Sequence, residues 1–110
     1  MTQTIPHERL NGLRGARAPI VHELKCWPKF FEPIAQGRKR HDLRRVGDRD
    51  FQVGDRMILR EFSPETGSYT GRRQTVEISY ITSATEPCAL SDQALHEDFC
   101  ILSILLVPDA

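Results

Sequence analysis

The sequence predicts an α+β, mostly β domain: a small barrel of five or six mostly antiparallel strands with one or two short helices. Two observations lead to it. Apolar and polar residues alternate over several short stretches, the period of a half-buried strand. Gly, Pro, Asp and Ser cluster between those stretches, where the chain must reverse.

The first strand is expected at 20–26, with His22, Leu24 and Cys26 on one face and Glu23 and Lys25 on the other. A helix follows from Pro28, which suits a first turn because its missing donor costs nothing there. Phe30, Phe31, Ile34 and Ala35 form its apolar stripe, and Gly37 its stop. Pro33 removes a helical hydrogen bond, so a kink or break is expected there. Residues 40–45 read as a strand that projects Arg40, Asp42 and Arg44 to one side and His41, Leu43 and Arg45 to the other. Residues 46–50 form a polar loop, and Val53, Gly54 and Asp55 a tight turn.

A strand at 56–62 is centred on Met57, Ile58 and Leu59. Residues 63–71 read as a hairpin loop, with Pro64 setting the turn and Gly67 and Gly71 allowing positive φ. Residues 74–82 alternate cleanly and place Val76, Ile78 and Tyr80 on one face. A short helix capped by Ser91 precedes the most apolar strand, 99–107, which is expected to cross the core.

At 110 residues the chain suits one domain, which removes roughly two-thirds of its unfolded surface from water on folding. We assign the domain to 20–110 and read the polar, Gly- and Pro-containing 1–19 as an arm. No apolar run is long enough to span a membrane, and the first residues lack the apolar centre of a secretion signal, so a cytoplasmic location is expected. Cys26, Cys88 and Cys100 are odd in number and lack paired spacings. Free buried thiols are therefore expected, with no metal site and no cofactor.

Charge is unevenly placed. The formal net charge is +0, yet residues 37–45, GRKRHDLRR, hold five of the fifteen Lys and Arg. Residues 84–110 hold Glu86, Asp92, Glu97, Asp98 and Asp109 with no Lys or Arg. Clustered like charges repel one another in the folded state, so a basic cluster calls for an anionic partner.

Several short patterns occur in order: His22, Glu23, Leu24 and Lys25; Trp27 and Pro28 at a helix start; Gly37, Arg38 and Lys39; Val53, Gly54 and Asp55; and Tyr69, Thr70, Gly71 and Arg72. Over 20–107 the chain resembles an ASCH domain, and within that class a small stand-alone ASCH-like family of bacterial and phage proteins. The ASCH signature GxKxxExR reads here as Gly37, Lys39, Asp42 and Arg44, with Asp in place of Glu. The resemblance implies a PUA-like β-barrel and a cleft between barrel and helix where these residues meet RNA or a modified nucleoside.

Bottom-up, Lys39 and Arg44 can bind phosphate or a carbonyl, and Asp42 can accept from a base or hold Arg44. Arg38, Arg40, Arg45 and Arg49 are the candidate phosphate contacts. Lys25, at the end of the first strand, joins them. Tyr69 offers an exposed ring for stacking, worth about 1–3 kcal/mol per base, whereas Trp27, Phe51 and His22 are expected in the core.

The leading expectation is thus a binding module for RNA or a nucleotide-like small molecule. A second is an amidohydrolase on acylated cytidine-type nucleosides. The resemblance then implies Lys39 as a catalytic residue and puts Asp42 where related enzymes use a threonine, so only general-base chemistry remains for it, with Lys39 polarising a carbonyl and Glu61 or Glu77 assisting. A third is a protein-interaction domain whose acidic C-terminal part meets a basic partner.

Overall fold

In a computed structural model, residues 17–108 are described. They form five strands and two short helices: β1 (Val21–Cys26), α1 (Pro28–Ala35), β2 (His41–Arg45), β3 (Arg56–Ser63), β4 (Ser68–Ser83), α2 (Ser91–Ala94) and β5 (Phe99–Leu106). The strands make one sheet in the order β1-β3-β4-β5-β2, curled into a half-barrel. Only the β1–β3 pair is parallel. Most of the expected arm, residues 1–16, lies outside the described residues.

Alternation does the building. Leu24 and Cys26 of β1, Met57 and Leu59 of β3, Val76, Ile78 and Ile81 of β4, and Cys100, Leu102 and Ile104 of β5 point into the concave side. Helix α1 closes one side of this core by inserting Phe31 and Ile34, both almost fully buried. The helix does not break at Pro33: α1 continues through it. Glu32 accepts from Gln36 N, and the Pro33 carbonyl accepts from Arg38 N and Lys39 N. The helix is so short that Pro33 removes a single bond near its end. Gly37 then ends it at φ +76.

The link between β1 and β3 is reinforced at Asp55, which is wholly buried. Its carboxylate accepts from Arg17 Nη1 at 2.8 Å and Nη2 at 2.7 Å, and from Ile20 N at 3.1 Å. Gln52 N donates at 3.0 Å, and His22 Nε2 is 2.8 Å away. Burial alone would raise this carboxyl, but donors from Arg17, His22, Ile20 and Gln52 outweigh it and hold the pKa at about 2. Residues 17–19, assigned to the arm from sequence, are thus anchored at Arg17.

Further expectations are corrected, among them the burial of Cys88. The hairpin connection is confined to residues 64–67, because β4 already begins at Ser68 and continues for 16 residues; Tyr69 is on a strand, not in a loop. Tyr80 is exposed rather than level with Val76 and Ile78. Ser79 is an extra residue in the β4–β5 ladder, and a bulge turns the next side chain outward. Trp27, expected in the core, is 51% exposed at the N-cap of α1 and stacks on Phe30. Of the cysteines, Cys26 and Cys100 are buried, whereas Cys88 is exposed.

Candidate nucleic-acid interface at the barrel seam

Strands β1 and β2 are the two edges of the curled sheet. Side chains stitch them together. Arg44 on β2 donates from Nη2 to the Lys25 carbonyl of β1 at 3.0 Å, and Arg49 donates from Nη2 to the Glu23 carbonyl at 3.4 Å. Arg44 Nε also donates to Asp42 Oδ2 at 2.8 Å. Strand β2 therefore has an inverted pleat, with Asp42 and Arg44 turned inward and Leu43 facing solvent. A strand that needed only stability would face its leucine inward.

Beside the seam, the outer face of the sheet holds a row of like charges. Lys25 is the register partner of Arg60, and Arg60 is the register partner of Arg73, so one rung across β1, β3 and β4 is Lys25, Arg60, Arg73. Like charges directly opposite each other destabilise a sheet. The next rung is aromatic. Phe62 faces Tyr69 edge-on with centroids 5.1 Å apart. Lys25 Nζ lies 4.3 Å from the Phe62 centroid, and the Arg60 guanidinium 4.1 Å from that of Tyr69.

Between these rungs the ladder is irregular. Glu61 alone on β3 opposes Thr70, Gly71 and Arg72 on β4, with Gly71 at φ +95. The bulge re-aims these side chains. Buried Glu61 accepts from Thr70 Oγ1 at 2.7 Å and lies 3.8 Å from Arg72. Arg72 reaches across to Glu32 of α1 at 2.8 Å and covers the Phe31 ring. The hydrogen bond from Arg72 lowers the Glu32 pKa.

Two hollows open over this region. One, of about 370 Å³, is lined by Lys25, Arg44, Arg49, Arg60 and Tyr69 together with Glu23, Leu24 and Asp48. The other, of about 400 Å³, is lined by Arg60, Arg72, Arg73, Tyr69, Gly71 and Glu23. Glu23, Arg60 and Tyr69 belong to both, so the two form one trough with a shared wall.

Of the residues expected to act together, Lys25, Arg44, Arg49 and Tyr69 meet in the first hollow. Asp42 lies behind Arg44 as its ion-pair partner. Lys39 and Arg40 line a different hollow of about 320 Å³ with Ile34, Leu105 and Leu106, and Lys39 Nζ donates to the His41 carbonyl at 2.7 Å. Arg38 donates to Gln36, and Arg45 stacks over Phe99. Positions 39, 42 and 44 therefore do not face one common hollow. Their charges do converge on Cys26, whose thiol burial pushes up to about 11; Asp42 adds to the rise while Arg44 and Lys39 oppose it.

Sequence reasoning missed Arg60 and Arg73; it named Thr70 and Arg72 only within a resemblance pattern and Glu61 only as an assisting carboxylate. An unbroken hairpin paired as Phe62 with Tyr69 would set Arg60 opposite Gly71. The bulge shifts its partner to Arg73 instead. Of the rung, only the outward position of Lys25 was read from the sequence. Among the described residues, no group of three or more His, Cys, Asp or Glu could hold a metal ion.

The profile of the family described as a domain of unknown function, DUF3850, matches residues 21–104. The chain belongs to this family. The match runs from β1 to the interior of β5, so every strand of the trough lies within it. The chain is also similar to an uncharacterized 12.9 kDa protein in the GpA 3′ region of Escherichia phage P2, with 33% identity over 66 residues. That alignment covers 60% of this chain and 58% of the phage protein.

Proposed function

We propose that this DUF3850 domain binds RNA or a nucleotide-like ligand in the trough beside the β1–β2 seam. The observation behind the reading is the rung of Lys25, Arg60 and Arg73, three cations side by side next to an aromatic pair. As charges on neighbouring strands the three repel one another, whereas a phosphate placed over them turns mutual repulsion into shared attraction. Tyr69, 42% exposed, adds a ring on which a base can stack. Asp42 then acts as a positioning residue that holds Arg44 in the seam. The resemblance to ASCH domains points the same way, although the trough moves the expected site from Lys39 and Arg40 towards Lys25, Arg60 and Arg73.

The test is retention of a single-stranded RNA oligonucleotide at increasing salt. Replacing Lys25, Arg60 and Arg73 with Ala should lower affinity and flatten the dependence of log K on log salt by about 0.7 for each phosphate that is no longer neutralised. Replacing Arg38 and Arg40 should do much less. Unchanged affinity and slope in the triple variant would overturn the proposal.

A further inference from the structure

The charge pattern along the trough is not uniform. Its first hollow draws on Lys25, Arg44 and Arg49, the last paired with Asp48 at 2.9 Å, and its second on Arg73 and on Arg72, which is paired with Glu32 at 2.8 Å, so cations outnumber carboxylates at each end. The wall between them contains Arg60, Glu23 and Tyr69, and Arg60 Nη1 is 4.0 Å from Glu23 Oε1. The middle of the trough is thus close to neutral and aromatic, while both ends are cationic. The Arg60 guanidinium lies over the Tyr69 ring, 4.1 Å from its centroid, so a base stacking here meets the ring and this cation together.

From this alternation we infer that the trough takes an internal nucleotide of a single strand: one base on Tyr69, with a phosphate in each flanking hollow. The inference rests on the binding reading above and narrows its ligand class. A mononucleotide supplies one phosphate and satisfies only one end. A duplex supplies phosphates at both ends but keeps its bases stacked inside, out of reach of Tyr69. Glu23, at the centre, is placed to accept from an exocyclic amine of the base, and its carboxylate repels a phosphate that would otherwise settle there.

The experiment titrates the whole chain at low salt with adenosine 3′,5′-bisphosphate, each of the two monophosphates, and matched single-stranded and duplex RNA. The bisphosphate should bind at least tenfold more tightly than either monophosphate. Arg73→Ala, and separately Lys25→Ala with Arg49→Ala, should each reduce the bisphosphate to the monophosphate level. Tyr69→Leu should weaken all three nucleotides about tenfold, and Tyr69→Trp should restore them, which separates lost stacking from lost folding. Equal affinity for mono- and bisphosphate, or for duplex and single strand, would overturn the two-phosphate inference and leave the binding reading standing. Failure of every nucleotide and both RNAs to bind the unaltered protein would overturn both.

Discussion

Arg44 reaches from one edge of the sheet to the other, donating to the Lys25 carbonyl at 3.0 Å while its Nε is held by Asp42 at 2.8 Å. The same side chain closes the barrel and presents a cation to the trough. Structure and proposed binding are coupled through this one guanidinium.

Arg44→Ala should therefore cost about 2 kcal/mol, because it leaves the largely buried Asp42 carboxylate without its partner. Adding Asp42→Asn should recover part of that loss, since the remaining group is then neutral. Urea midpoints of the two single variants and the double variant measure the coupling; strict additivity would show that the pair does not interact.

Arg73→Thr should move stability and binding in opposite directions. Removing one member of the cationic rung relieves repulsion with Arg60, raising stability by a few tenths of a kcal/mol at low salt and by nothing measurable at high salt. RNA affinity should fall in the same variant. A variant that loses stability at low salt would show that Arg73 is structurally required.

Asp55 sets an acid limit. Its folded pKa of about 2 lies below the ordinary value of 3.8, so between those values the unfolded chain binds more protons and stability rises with pH. This contribution, about 2 kcal/mol, is complete above about pH 5 and is lost as pH falls through about 2. Asp55→Asn should lower stability at neutral pH and flatten the acid limb of the denaturation midpoint. An unaltered limb would mean that other carboxylates dominate it.

Thiol labelling should distinguish the cysteines. Cys88 is exposed and should react with a disulfide reagent in the native protein. Cys26 and Cys100 are buried, with thiols pushed up to about 11 by desolvation, and should react only on unfolding. Rapid native labelling of all three would contradict the packing of β1 and β5.

Much of the fold was legible locally. Period-two alternation placed His22, Leu24 and Cys26 inside, Pro28 and Gly37 bounded the helix, and Gly54 and Gly67 marked turns. Errors gathered where a local pattern meets an irregular ladder. Tyr80 turned outward because Ser79 is an extra residue, and Arg73 came opposite Arg60 because three residues of β4 face one of β3. Trp27 stayed half-exposed because it caps a helix whose buried stripe begins at Phe31.

The sequence by itself determined which side chains face inward along the regular strands, where the chain turns, and that positive charge outweighs negative in its first half. Tertiary structure alone decided which strands became edges, which cations share a rung, and that Lys25 meets Arg49 and Tyr69 while Lys39 faces elsewhere. The reason is physical. Face preference follows from neighbouring residues on one strand, but register and closure follow from pairings between strands far apart in the chain, and one bulge is enough to reassign every partner beyond it.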